Sequence, residues 1–401
     1  MLGRDVSAKA SECEYAVRGV RRAVEENHDH GSFVGRAAEC AALRGLVERA
    51  VAGEGGSVVV VGPPGIGKSA LLQYVADTAR DDGHAVVHVV GTEAEREWPY
   101  AGLNLILSGS RMATRDEWTE TASRAETRVR RAMDHASVYE VALEAQRLTE
   151  QATTPVIVVV DDAHLLDEPS RDVIAFVARR VRSVPVALLI STSLSARDTL
   201  PFSGLRTMHL SELSAAETAR LVKADAEHPV ADAVAEHIAR SVGGNPRAVL
   251  DVVERTPPGQ LEGHVEPDRY LPQSDVLAQL FLPDLDLLGE EQRFALLVAA
   301  VSVDGRFSPV MDAVAGRGDR LVTWLAQRHL AVSEGSFSFR RPAVRSVIWH
   351  AASLAERSQA HLALARAYAD ADPEIRAYCD VSAPEASLFL DDEPLELDLS
   401  I

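Results

Sequence analysis

The chain has 401 residues, room for two or three domains, and its 46% hydrophobic and 25% charged side chains exclude a disordered or fibrous protein. Acidic side chains outnumber basic ones 60 to 41, which excludes a surface that binds phosphate throughout but leaves room for a local basic patch. Cys13, Cys40 and Cys379 are too few and too scattered for a disulfide framework. The charged stretch Met1 to Glu14 lacks a signal-peptide core, and apolar runs fall far short of the roughly 20 residues of a membrane span, so the expected compartment is the cytoplasm.

Residues 1–31 read as a polar lead-in with one short helix around Glu12–Glu25. Val58–Val61 is a β-branched run followed by a glycine-rich turn and a helical pattern over Ser69–Ala79. Further strands are expected at Val86–Val90, Val156–Val160 and Val186–Ile190, with a helix over Val138–Gln151. Continuous apolar strands alternating with helices predict an α/β fold, a parallel sheet covered by helices on both faces. After about residue 210 the pattern turns helical. Helices are expected over Ala215–Asp225, where Ser214 and Glu217 have capping-box spacing, and over Val230–Val242, ending at Gly243-Gly244. Pro257, Pro258, Pro267 and Pro272 read as a linker. Residues 275–350 are helical except for Leu330–Val332 and Ser336–Phe339, which flank Glu334-Gly335 as a hairpin would; helices followed by a small hairpin suggest a winged-helix domain. Ala355–Ala369 is one more helix before an acidic, leucine-dotted tail, a partner-binding segment or a frayed end. The expected division is a lead-in at 1–31, the α/β domain at 32–210, and a small helical domain with linker at 211–274. A winged-helix-like domain at 275–352, the start of a helical segment at 353–380 and the tail at 381–401 complete it.

Gly62-Pro63-Pro64-Gly65-Ile66-Gly67-Lys68-Ser69 fits the phosphate-loop pattern G-x-x-x-x-G-K-[ST], set between a strand and a helix. Glycines let successive N–H groups turn inward around phosphates, and the helix that follows, with Ala70 in its first turn, aims its positive end at the same anion. Lys68, one of only three lysines with Lys9 and Lys223, is placed to neutralise the β- and γ-phosphates of ATP, and the Ser69 hydroxyl to ligate Mg²⁺. Val156–Val160 ends in Asp161-Asp162. Asp161, at the strand's carboxyl end, is expected to hold Mg²⁺ through water, and Asp162 to orient or activate the attacking water. His164 reads equally as a partner of this pair or as a structural histidine.

The chain resembles the STAND class of AAA+ ATPases, and most of all the ATPase half of large ATP-binding LuxR-type transcriptional regulators. Phe33-Val34-Gly35-Arg36-Ala37-Ala38-Glu39 is similar to the group's opening "hhGRxxE" box, Trp98 to Leu103 to "PFAGL", and Asp161 to His164 to "DDAH". Gly243 to Pro246 is similar to "GGNP", and Phe339 to Arg345 to "FRHPLVR". The ordered set spans about residues 32–370.

The resemblance implies an ADP-locked, ATP-opened signalling switch of ATPase core, helical domain and winged-helix lid. It implies that Val34 and Gly35, with Arg36 beside them, meet the adenine, that Pro246 packs on the base, and that Arg341, where relatives carry histidine, approaches the β-phosphate. Ser193 stands where relatives carry a sensor arginine, with Arg197 four residues on, which implies slow turnover. The chain ends where relatives continue into a helical sensor and a LuxR helix-turn-helix. Expected partners are nucleotide and other protein subunits or a regulator, not a membrane.

Other readings carry less. A hydrolysis-deficient scaffold that assembles with related regulators fits the same motifs. The basic clusters Arg124–Arg131 and Arg179–Arg182, and Arg317, Arg320 and Arg328 around Trp324, read first as solvated helix faces and second as DNA contacts. Cys13, His28, His30 and Cys40 lack the paired spacing of a zinc site.

Overall fold

The β-branched runs form strands because a pleated, doubly buried surface suits branched side chains. The computed structural model describes residues 34–114, 119–193, 195–266, 268–315 and 319–368. The helix expected at Glu12–Glu25, Cys13, Arg317, Cys379 and the acidic tail lie outside these residues. The chain divides between Leu213 and Ser214 into two compact units.

In the first unit β1 (Gly56–Val61), β2 (Ala85–Val90), β3 (Val156–Asp161), β4 (Val186–Thr192) and β5 (Thr207–His209) form one sheet in the order β2-β3-β4-β1-β5. Every pairing is parallel. Side chains alternate between the faces. Val58, Val60, Ile157, Val159, Ala187 and Leu189 pack under α1 (Ala37–Val51) and α2 (Lys68–Asp81). Val59, Val61, Val158, Val160, Leu188 and Ile190 face the opposite core, shared with α3 (Ala101–Ala113), α4 (Glu120–His135), α5 (Val138–Thr149) and α6 (Glu168–Ala178). The expected parallel sheet covered on both faces is present. The register sets Val160 beside Ile190 and Val61 beside Thr192. The end of β4 therefore lies between the loop after β1 and the acids after β3.

The second unit contains α7 (Ala215–Asp225), α8 (Asp232–Val242), α9 (Pro246–Arg255), α10 (Asp275–Phe281), α11 (Glu290–Val301), α12 (Phe307–Ala315) and α13 (Asp319–Arg328). A hairpin of β6 (Leu330–Ser333) and β7 (Ser336–Phe339) follows, then α14 (Val344–Ala351) and α15 (Leu354–Ala367). Glu334 and Gly335 both have positive φ, 51° and 81°, the backbone of a two-residue turn that matches strand twist. A single buried cluster runs from Val222 to Tyr368. The proline-rich stretch read as a linker is threaded into it. Pro258–Leu261 forms a helical turn, Leu261 and Leu271 are buried, and the Leu271 N–H donates to Ser346 Oγ at 2.9 Å. Proline breaks regular helices without keeping a chain out of a core. No helix among the described residues is long and apolar enough to cross a membrane.

Candidate functional site

The loop after β1 turns on glycines. Gly65 and Gly67 have φ of 74° and 96°, a left-handed backbone that side chains disfavour. Gly67 caps α2 without a side-chain hydrogen bond, and the helix carries no acidic residue in its first turn. Its first N–H groups and positive end are thus available to an anion. Lys68 is buried; its Nζ donates to the Gly62 carbonyl at 3.0 Å and the Pro63 carbonyl at 3.3 Å, so the cation is folded back along its own loop. Ser69 is exposed and Ala70 half-buried behind it.

Across the end of β4 stand the acids. Asp161 is 4% exposed, and its Oδ1 accepts from the Ser191 hydroxyl and, at 3.1 Å, from the Asp162 N–H. The Asp162 N–H also reaches Ser191 Oγ at 2.8 Å. Asp162 adopts a left-handed backbone, φ 47° and ψ 47°, which turns the chain sharply off the sheet. Burial, and then the charge of Asp161, raise the Asp162 carboxyl's pKa above the ordinary aspartate value, while His164 and Lys68 hold it back. Burial lowers the Lys68 pKa against the pull of Asp162 and Asp161. The lysine and the two acids therefore feel one another's charge. His164 Nδ1 lies 4.0 Å from Asp162 Oδ1, within ion-pair range but too far for a hydrogen bond.

The remaining expected site residues fall into three groups. Val34 and Gly35 open the described chain ahead of α1, Gly35 with φ 72°. Arg36 is buried, and its guanidinium donates to the Ile66 carbonyl at 3.3 Å and to the Ser211 carbonyl, with Glu39 at 3.3 Å. That side chain braces the phosphate loop from behind and ties it to the segment after β5. Pro246 and Arg341 belong to the second unit. Pro246 opens α9 under an Asn245 cap, and Arg341 is exposed. A β-carbon on Gly243 would stand 3.6 Å from Pro342 Cδ, so the two motif stretches that carry Pro246 and Arg341 are neighbours within that unit.

Three residues escape sequence reasoning. Ser191, the polar end of an apolar strand, orders Asp161 and Asp162 together. Asp167 is 2% exposed and caps α6; its carboxylate also accepts from Tyr100 N at 2.8 Å and Gly102 N at 3.1 Å, pinning the Trp98–Leu103 stretch to the loop after β3. Thr192 Oγ1 is buried and without a hydrogen-bond partner among the described residues, at the strand end facing the loop. The signal available in each case was a polar residue closing or following an apolar strand.

This geometry defines a phosphate-loop α/β domain with its acids one strand removed from the loop. Residues 32–190 match the family model described as AAA ATPase domain, and the first unit holds a domain of that type. No curated protein matches the sequence. Among solved structures, the chain is similar to Orc1 of Aeropyrum pernix, in complex with DNA, at 16% identity over 82% of this chain and 96% of that one, TM-score 0.41. It is also similar to AMPPCP-bound DnaA of Aquifex aeolicus, at 11% identity over 90% and 96%, TM-score 0.39. A RuvB variant of Thermotoga maritima matches at 16% identity over 77% and 93%, TM-score 0.36.

Proposed function

We propose that the protein is an ATP- and Mg²⁺-binding, slowly hydrolysing signal-transduction switch of the STAND and LuxR-regulator type. The observation that carries the reading is the convergence of Lys68, Asp161 and Asp162 in one field beside an uncapped helix start. The residues fit the nucleotide. The backbone N–H groups after Gly65 and Gly67 cradle phosphate oxygens, and Lys68 Nζ exchanges its loop carbonyls for them. Ser69 would give Mg²⁺ its hydroxyl oxygen, and Asp161 would hold the ion through water. When bound, the ion neutralises charge on the transferring phosphoryl group.

Asp162 is the group that accepts a proton. Its left-handed turn off the sheet sets its carboxylate apart from that of Asp161, in keeping with a separate role. Ser191 positions both acids.

A second reading, a hydrolysis-deficient scaffold that assembles with other regulators, is favoured by Ser193. It follows β4 where relatives place an arginine, and its hydroxyl is committed to Asp198. Phosphate release from ATP separates the two. Turnover above that of the Lys68→Ala variant is the switch's outcome. Retained ADP with no such turnover is the scaffold's, and the absence of any nucleotide binding contradicts both.

A further inference from the structure

Two arginine clusters that look alike in sequence differ in their partners. On α4, Arg124 pairs with Glu120, Arg128 with Glu144 at 2.9 Å and Arg130 with Glu126 at 2.8 Å. After α6, Arg179 donates only to carbonyls: Ala175 at 2.8 Å, Pro201 at 2.6 Å and Ser203 at 3.0 Å. Those bonds fix the 201–206 turn, which carries Arg206, and leave N–H groups of the same guanidinium unspent.

Arg49, Arg179, Arg182 and Arg206 line one cleft of about 630 Å³, with Glu54 as the only carboxylate among the described residues of its wall. All four arginines are exposed. None has a carboxylate within 4.0 Å among the described residues. In a chain whose acids outnumber its bases 60 to 41, a wall with four guanidinium groups against one carboxylate reverses the general balance.

The cleft opens at the amino ends of β1, β4 and β5, where Gly55 and Gly56 start β1. The phosphate loop leaves the other end of β1, about 20 Å away at 3.3 Å per residue. The two regions are thus separate. They share α1 as well: Leu43, Leu46 and Arg49 line the cleft, and Arg36 at the opposite end braces Ile66.

We infer that this cleft is a second anion site, one that takes a compact polyphosphate group, free or carried on a nucleoside. Guanidinium forks match phosphate oxygens in pairs, and several forks around one cleft suit a group with several negative charges. The volume is that of a small-molecule pocket. A nucleic-acid strand requires a long basic track, and the ion-paired arginines of α4 do not extend one.

The test uses the full chain carrying Lys68→Ala, so that the phosphate loop is weakened, titrated calorimetrically with inorganic tripolyphosphate and then with ATP in magnesium-free, low-salt buffer. Saturable binding at one site, weakened at least tenfold by Arg182→Ala with Arg206→Ala and weakened again by added salt, is the expected result. Both positions are exposed, and circular dichroism confirms that the variant is folded. If ATP binds more tightly than tripolyphosphate, the group is carried on a nucleoside; equal affinity identifies the polyphosphate alone. Absence of saturable binding, or binding indifferent to the two substitutions, overturns the proposal. So does arginine-dependent binding of a DNA duplex or of polyglutamate where tripolyphosphate does not bind.

Discussion

The two ends of the five-stranded sheet handle charge in opposite ways. At the carboxyl ends one lysine is buried against its own loop and answered by Asp161 and Asp162. At the amino ends four exposed arginines surround a cleft with a single carboxylate. The first arrangement is balanced, so an incoming anion competes with an existing partner, and small changes in charge alter chemistry. The second is unbalanced and open, suited to holding an anion and without an acid in place to do anything to it.

The strongest way to break this contrast is to neutralise the acid assigned to water. Asp162→Asn should leave ATP affinity within a few-fold of the parent and lower phosphate release by about 10²- to 10⁴-fold, the usual contribution of a positioned base. Equal turnover in a phosphate-release assay would remove Asp162 from the mechanism.

The next effect sharpens the link between the ends. Arg36→Ala removes the brace on Ile66 and Ser211, at a cost of about 1.5–3 kcal/mol for a buried charge-assisted hydrogen bond. Urea denaturation should show that loss, with ATP binding weakened less than by loss of the lysine. Unchanged stability would mean that the brace is ornamental.

The third effect lies outside the sheet and serves as its control. His361, buried in the second unit, has its pKa pushed down by burial to about 4. The unfolded chain binds that proton near 6.5 and the folded chain refuses it until about 4, so stability falls as pH drops through this window and is fully present above it. A His361→Phe variant should melt with a flatter pH dependence between pH 6.5 and 4. Parallel curves for the two proteins would exclude His361 as the source.

Much of this was legible in the residues. The four long apolar runs, the glycine-rich turn and the acids closing Val156–Val160 are signals in which local chemistry and final structure agree. β5 was not legible: Thr207–His209 is three residues with two exposed, and it is a strand only because β1 offers it an edge. The prolines between 257 and 272 signalled a break in helix correctly, but whether such a break is solvated depends on distant residues such as Ser346. Arg36 was placed by resemblance in the nucleotide site, beside the Val34 and Gly35 expected to meet the adenine. Its position against Ile66 and Ser211 depends on a fold that brings residue 211 beside residue 36, which no local pattern encodes. Ser191 was invisible for the same reason, since its partner Asp161 lies on the neighbouring strand. The two arginine clusters were indistinguishable until their surroundings were known.

The central claim is that the carboxyl end of the sheet is a nucleotide site built on Lys68. A calorimetric titration of the full chain with ATP and Mg²⁺, repeated on Lys68→Ala, tests it most directly. The account predicts a loss of about 10- to 100-fold in affinity at the phosphate loop, the equivalent of one charge-assisted interaction worth about 1.5–3 kcal/mol. Equal affinity in the two proteins, with the variant folded, would contradict it.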